Sequence, residues 1–241
     1  AYRGCGVGTP LVSWIVRRPE TRRFSAIGSH NATFHIMSQK ESYRCGLRPC
    51  GMLFDLYLSR GFVHSHANVG DKLSYAVAAM PLTREPAALY LPEIYRPFAE
   101  TYYRSVGVPA AFLPEGAPEA LPCMEVREDE FHRTLSFCVS RWGRELEERV
   151  SAELKKHAGR PLQTADAFLD LSDPAATEGC RRLEGLGFRF SGLQPFCRGK
   201  HYLLLHHPMG VEIPFDRMRI DPEYQAMFDA VRVCFPNGRE H

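Results

Sequence analysis

The stretch Leu183-Glu-Gly-Leu-Gly-Phe-Arg-Phe-Ser-Gly-Leu193 decides how the second half of this 241-residue chain folds. A helix that ends at a glycine and is followed by apolar residues around a second glycine is typical of a helix that leads into a β-hairpin. Gly187 is the predicted end of the helix, because glycine adopts the turn after a helix without steric cost. Residues 188–195 and 201–207 are then two strands, paired across the turn at 197–200.

Around this stretch the pattern alternates between helices and strands. From residue 133 the predicted order is strand, helix, strand, helix, two strands and a helix, over 133–140, 144–157, 165–171, 174–186, 188–195, 201–207 and about 222–233. Leu146, Val150 and Leu154 give the first of these helices one apolar face. Alternation of this kind predicts an α+β fold, a mixed β-sheet with helices packed on it.

The first half of the chain repeats part of this order. A strand over 24–28 and a helix over 29–44 lead into Cys45-Gly-Leu-Arg-Pro-Cys-Gly-Met52, in which the two glycines stand five residues apart, as they do in the second half. Strands over 51–58 and 73–82 and an aromatic-rich helix over 92–106 follow. The two halves are therefore predicted to be an internal repeat.

Between the halves, residues 107–122 contain four prolines and two glycines. This composition predicts a linker, so the expected organisation is a first segment over 1–106 and a second over 123–241. The acidic stretch 125–130 is predicted to be an exposed edge of that linker.

Composition places the chain among globular proteins, with 44% hydrophobic and 24% charged residues. A net charge of +2 gives no sign of nucleic acid or a membrane surface as a partner. No apolar run approaches the roughly 20 residues that a membrane span needs, and residues 11–16 do not form a signal peptide.

Eight cysteines are scattered without a Cys-x-x-Cys pair. We therefore expect a cytoplasmic protein with reduced cysteines.

The first eleven residues contain the one stretch that indicates a class of ligand. Arg3, Gly4, Gly6 and Gly8 stand at the start of a predicted helix. Glycines at this spacing leave amide groups bare, and together with the positive end of the helix they favour a bound pyrophosphate. No strand is predicted before this loop within the sequence, although a strand-to-helix connection would require one.

This combination resembles the GNAT acetyltransferase superfamily. The helix that ends in Leu-Gly-Phe188 before a hairpin resembles the C-terminal half of the GNAT fold, and Arg3-x-x-Gly6-x-Gly8 resembles its acyl-CoA pyrophosphate loop. Four further segments resemble GNAT-like regions that are fused behind a histidine-kinase-type ATPase module in bacteria, namely His35-x-x-Ser38-Gln39-Lys40, Leu89–Tyr95, Asp170–Pro174 and Gly187–Pro195. The resemblance implies tandem GNAT-like half-domains and acetyl-CoA or another acyl-CoA as the ligand. It also implies a role in signalling, with a protein partner or a fused regulatory domain.

The resemblance leaves catalytic activity open. Ser42 and Leu183 stand where many superfamily members carry a tyrosine that acts as general acid, and the loop at 140–144 in the second half has one glycine. Tyr43 is adjacent to Ser42 but faces another side of the helix. His35 and Tyr43 are the remaining candidates for acid–base chemistry. We expect a degenerate GNAT-like module that binds an acyl-CoA or a protein partner. The alternative is an acetyl-CoA-dependent N-acetyltransferase.

A metal site is not predicted. His64-Ser-His66 lies in a polar loop, where paired histidines are more often solvated than bound to metal. His206 and His207 are neighbours on a strand, so their side chains face opposite sides and do not easily share one ion. Cys45 and Cys50 lack the second tight pair that a zinc site needs, and Cys5 in the glycine loop is a remote candidate for a nucleophile.

Overall fold

The computed structural model describes residues 8–58, 72–118, 121–157 and 164–236. The helices are α1 Gly8–Arg17, α2 Met37–Arg44, α3 Arg96–Ser105, α4 Leu146–His157, α5 Ala176–Gly185 and α6 Pro222–Arg232. The strands are β1 Ala26–Ala32, β2 Arg48–Leu58, β3 Lys72–Pro81, β4 Ala87–Leu89, β5 Ala110–Phe112, β6 Cys123–Asp129, β7 Thr134–Arg141, β8 Thr164–Asp170, β9 Arg189–Cys197 and β10 Lys200–His207. Short 3-10 turns occur at Pro19–Arg23, Glu93–Tyr95 and Phe215–Arg217.

Eight of the strands form one sheet in the order β1-β3-β2-β9-β10-β8-β7-β6. Neighbouring strands in this sheet are antiparallel, except that β7 and β8 run parallel. The short strands β4 and β5 form a separate parallel pair. This arrangement confirms the predicted α+β fold with a mixed sheet.

The two halves of the sheet share one topology, as the internal repeat predicts. In the segment β1-α2-β2-β3 the third strand inserts between the other two, and in β8-α5-β9-β10 the last strand does the same. The halves meet at β2 and β9, which are antiparallel with Gly51 opposite Gly192. An approximate two-fold axis therefore passes near this pair of glycines.

The ends of α2 and α5 have the same backbone geometry. Gly46 and Gly187 follow these helices with φ angles of +97° and +102°. The next residues, Leu47 and Phe188, are 1% and 0% exposed. Each of their amides donates to the carbonyl five residues earlier, at 3.0 and 3.1 Å. Glycine is required at this position because it tolerates the left-handed backbone that turns each chain from helix into strand.

The start of α2 and the assignment of the acidic stretch differ from the sequence prediction. The helix predicted over 29–44 begins at Met37, because Ser29–Ala32 continue β1 and pair with β3. The acidic stretch predicted to be a linker edge belongs mostly to β6. In β6, an edge strand with exposed charged side chains, only Met124 and Val126 alternate with exposed residues, and this alternation is too short to identify a half-buried strand.

The proline-rich residues between the halves form hydrogen bonds with both of them. The carbonyl of Pro109 accepts from the Ala87 amide at 2.8 Å, and the Gly116 amide donates to the Pro174 carbonyl at 2.9 Å. Proline lacks an amide proton but keeps its carbonyl, so these residues still enter hydrogen-bonded structure. The predicted segments 1–106 and 123–241 thus share one sheet.

The buried side chains form one core that both halves contribute to. Phe54, Tyr103, Phe137, Trp142 and Leu203 all belong to it. In the part of the chain that the structure describes, no helix is both long enough and apolar enough to cross a membrane.

Candidate ligand-binding cleft

A cleft of about 970 Å³ lies where the two halves of the sheet meet. The helices α3 and α6, which follow the two repeated segments, both pack on β2 and form its walls. Its apolar lining includes Phe98, Tyr102, Ala226, Met227 and Ala230. A largely apolar cleft of this size, with a few polar groups at defined points, has the properties of a small-molecule site.

The polar groups of the cleft come from equivalent positions of the two halves. Tyr43 and Arg48 stand at the end of α2 and the start of β2, and Glu184 and Arg189 stand at the same places on α5 and β9. Because β2 and β9 are antiparallel, these two groups lie at opposite ends of the cleft. The approximate two-fold axis therefore gives the cleft two similar polar ends and an apolar middle.

Each arginine is held by the end of the helix before it. Nη1 of Arg48 donates to the carbonyls of Tyr43 and Leu47, both at 3.1 Å. Nη1 of Arg189 donates to the two equivalent carbonyls at the end of α5, at 3.0 and 2.7 Å. The Tyr43 and Glu184 carbonyls belong to the last turn of a helix, which leaves such groups without a partner inside the helix, and the Leu47 and Phe188 carbonyls follow the glycine turn. The hydrogen bonds of the two guanidinium groups are therefore equivalent, and Arg48 also stacks over the Tyr43 ring at 4.1 Å.

A tyrosine–glutamate hydrogen bond lies at each end of the cleft. The Tyr95 hydroxyl donates to the Glu184 carboxylate, and the Tyr95 ring stacks on Phe190 at 4.2 Å between centroids. At the other end Tyr43 hydrogen-bonds Glu223. Each bond joins the helix end of one half to the helix that follows the other half.

Both phenols are weaker acids than free tyrosine. Burial, together with the hydrogen bond to Glu184, raises the pKa of Tyr95. The hydrogen bond to Glu223, together with burial, raises the pKa of Tyr43. The cause is the same in both cases, because a phenolate beside a carboxylate in a partly buried site is unfavourable. Both groups therefore keep their protons at neutral pH.

The structure separates the residues that were candidates for acid–base chemistry. Tyr43 lines the cleft, but His35 precedes α2 and is not among the residues that line the cleft. Burial lowers the pKa of His35. Ser42 and Leu183, which stand at the position of the superfamily tyrosine, are 6% and 0% exposed. The Ser42 hydroxyl donates to Asn31 at 2.7 Å, so it forms a buried hydrogen bond inside the protein.

Of the predicted glycine loop, the structure describes Gly8 alone. Arg3, Gly4 and Gly6 lie outside the described residues, as does Cys5. Gly8 is the first residue of α1, and a Cβ atom on it would lie 2.2 Å from Oε1 of Glu41. A carboxylate at this point repels an anion, so the neighbourhood of Gly8 does not favour a pyrophosphate. Binding of acyl-CoA at the loop stays a prediction.

The corresponding connection of the second half, between β7 and α4, is filled by side chains of the chain itself. Trp142 is 2% exposed, and its amide donates to Oδ2 of Asp173 at 2.5 Å. A Cβ atom on Gly143 would lie 2.6 Å from Pro122, and one on Gly179 would lie 2.8 Å from Trp142. This close packing leaves no room for a ligand between the loop and its neighbours.

The neighbouring histidines of β10 lie in different surroundings, as their strand position predicts. Nδ1 of His206 and Oδ1 of Asp166 are 2.8 Å apart, whereas Nδ1 of His207 accepts from the Met209 amide at 2.9 Å. The pair His64 and His66 lies outside the described residues. Within the ranges that the structure covers, no group of three or more histidine, cysteine or acidic side chains is arranged to hold a metal ion.

The sequence does not predict a cluster of four buried polar residues. Asp55, Lys72, Asp166 and His206 are 7%, 7%, 3% and 0% exposed, and they lie near the ends of four strands. Nζ of Lys72 donates to Oγ1 of Thr164 at 3.3 Å. Burial lowers the pKa of Lys72 to about 8 and raises that of Asp55. No spacing in the sequence relates these residues, because only the sheet brings the four strands together.

Comparisons of this chain with models of protein families, with curated proteins and with solved structures found no match. The resemblance to the GNAT superfamily therefore rests on the residues quoted above.

Proposed function

We propose that this chain is a degenerate GNAT-like module that binds its ligand in the cleft between α3 and α6. The observation that carries the proposal is the cleft itself, an apolar space of about 970 Å³ to which the two halves contribute equivalent polar residues. Apolar walls favour an acyl chain, and Arg48 and Arg189 favour an anionic group. An acyl-CoA has both features and is the ligand that the resemblance implies.

Binding fits the groups in the cleft better than acyl transfer does. The two phenols that line it, on Tyr43 and Tyr95, already donate to carboxylates and have raised pKa values. A weak acid whose proton is held by a carboxylate is a poor donor to a leaving thiolate. General acid–base assistance contributes about 10²–10⁴-fold to a rate, so its absence would leave any acetyl transfer slow. The proposed role is therefore that of a ligand-binding part in a bacterial signalling protein, together with a protein partner.

Isothermal titration with acetyl-CoA and octanoyl-CoA tests the site. Ala226 is exposed in the cleft, so Ala226→Trp fills it and should abolish binding. Ala152→Trp on the exposed side of α4 is the matched control and should bind as the wild type does. Gly6→Val separates this site from the glycine loop, where a side chain would block a pyrophosphate. Loss of binding in Gly6→Val, with binding retained in Ala226→Trp, would contradict the proposal.

A thiol-release assay over a panel of common amines tests the absence of transfer. We expect no release of CoA above the rate without protein. Turnover above about 1 s⁻¹, which lies within the usual range of enzymes, would favour the N-acetyltransferase instead.

A further inference from the structure

The two arginines of the cleft have hydrogen-bonding capacity that the chain itself does not use. In the described part of the chain, the side-chain hydrogen bonds of Arg48 and Arg189 all come from Nη1. Both residues are partly buried and line the cleft. A guanidinium has five N–H donors in a rigid plane that matches a carboxylate or a phosphate. Each arginine therefore offers its remaining donors to a ligand.

The register of the sheet sets the distance between these two groups. Each arginine precedes the glycine of its own strand by three residues, and those glycines, Gly51 and Gly192, face each other across the antiparallel pair. At about 3.3 Å per residue, the two arginine Cα atoms lie roughly 20 Å apart along the strands. The cleft between them is lined mainly by apolar side chains.

We infer that the ligand of this cleft is a linear molecule with an anionic group at each end and a largely apolar chain between them. This inference rests on the proposed function, and it narrows the ligand from any acyl compound to a dianionic one. One anionic group would pair with Arg48 and the other with Arg189. Two sources share this chemistry, a free long-chain dicarboxylic acid and the CoA thioester of a dicarboxylic acid.

Glu184 and Glu223 do not compete for the arginines. The Glu184 carboxylate accepts from Tyr95 and the Glu223 carboxylate from Tyr43. Within the described residues, neither glutamate forms an ion pair with Arg48 or Arg189. The two carboxylates instead disfavour an anion beside the Tyr43 and Tyr95 hydroxyls, which leaves the arginines as the groups that bind the ligand's charged ends.

Titration with matched ligand pairs tests the inference. Hexadecanedioate and hexadecanoate differ by one carboxylate, and hydrogen bonds to a charged group are worth enough for at least about a tenfold difference in affinity. The wild type should bind the dianion tighter by that factor. Arg48→Gln and Arg189→Gln should each remove the preference, whereas Arg44→Gln, on an exposed arginine outside the cleft, should keep it. Because the readout is a ratio of two affinities, a general loss of folded protein does not imitate the effect.

A second pair, the CoA monothioester of decanedioic acid and decanoyl-CoA, distinguishes the two sources. Tighter binding of this thioester than of the free diacid assigns the CoA form, and the reverse assigns the free acid. Equal affinity for monoanion and dianion, both blocked by Ala226→Trp, would overturn this inference and leave the proposed function standing. No binding of any of the four ligands would overturn both.

Discussion

Gly192 packs against Gly51 so closely that a Cβ atom on Gly192 would lie 2.3 Å from the Gly51 Cα atom. The contact lies on the approximate two-fold axis, where β2 and β9 join the two halves into one sheet. Gly192 also has a φ of +119°, a backbone conformation that a side chain rarely tolerates. The junction that forms the cleft therefore depends on this pair of glycines.

Gly192→Ala should destabilise the protein by roughly 3–5 kcal/mol, because backbone strain and a steric clash add together. Gly199→Ala is the matched control, since Gly199 has a φ of +75° but open space where a Cβ would lie. There the strain alone should cost about 1–2 kcal/mol. Urea denaturation measures both variants, and equal losses would show that the glycine contact is not the constraint.

Removing a buried acidic partner should cost far more than removing an exposed one at the same distance. The pairs His206–Asp166 and His132–Asp129 both have nitrogen–oxygen distances of 2.8 Å, but their histidine side chains are 0% and 26% exposed. Asp166→Ala should lower the free energy of unfolding by about 3–5 kcal/mol. Asp129→Ala should lower it by about 1 kcal/mol or less. Chemical denaturation measures the free energy of unfolding of both variants. Similar losses in the two would contradict the argument from burial.

Lys72 should make stability rise with pH in the alkaline range. Its pKa is about 8 in the folded protein against 10.5 for the ordinary side chain. The unfolded chain therefore holds the proton more tightly, and deprotonation between these values favours the folded state. Lys72→Met removes the group but keeps a buried alkyl chain. The free energy of unfolding of the wild type relative to this variant should increase by about 2–3 kcal/mol from pH 8 to pH 10.5. If the free energies of unfolding of the wild type and Lys72→Met changed in parallel with pH, the lowered pKa of Lys72 would be contradicted.

His201 should reduce the stability of the folded protein at acid pH. Its Nδ1 lies 2.7 Å from the Tyr103 hydroxyl, and burial lowers its pKa from 6.5 to about 4. The folded state binds a proton there less tightly than the unfolded state, so this group reduces stability as the pH falls from 6.5 towards 4. In His201→Phe, thermal melting temperatures should fall less over this interval than in the wild type. If the melting temperature of His201→Phe fell as steeply as that of the wild type, the lowered pKa of His201 would be contradicted.

The elements that could be predicted from the sequence are those with a local cause. Gly187 after an amphipathic helix, followed by apolar residues around Gly192, predicts the helix and hairpin because each choice acts within a few residues. The repeat followed from the same signal at Gly46 and Gly51. The α+β class and the order of elements after residue 133 were predictable for this reason.

The features that could not be predicted depend on pairing between distant strands. No local pattern states that β2 pairs with β9, so the cleft and the placement of Arg48 and Arg189 in it were not foreseen. Tyr43 was singled out only for its nearness to Ser42. The buried cluster around Lys72 joins four strands and has no sequence signature.

We propose that the cleft between α3 and α6 is the binding site of a module that does not transfer the acyl group. Methyl NMR of the protein, whose seven methionines can all be labelled at the methyl carbon, tests it during titration with octanoyl-CoA and an amine. Met227 lines the cleft, whereas Met124 on β6 is distant from it. We predict that the Met227 signal shifts with saturation, that Met124 stays unchanged and that the thioester remains intact. A saturable response elsewhere with Met227 unmoved, or release of the CoA thiol, would contradict the account.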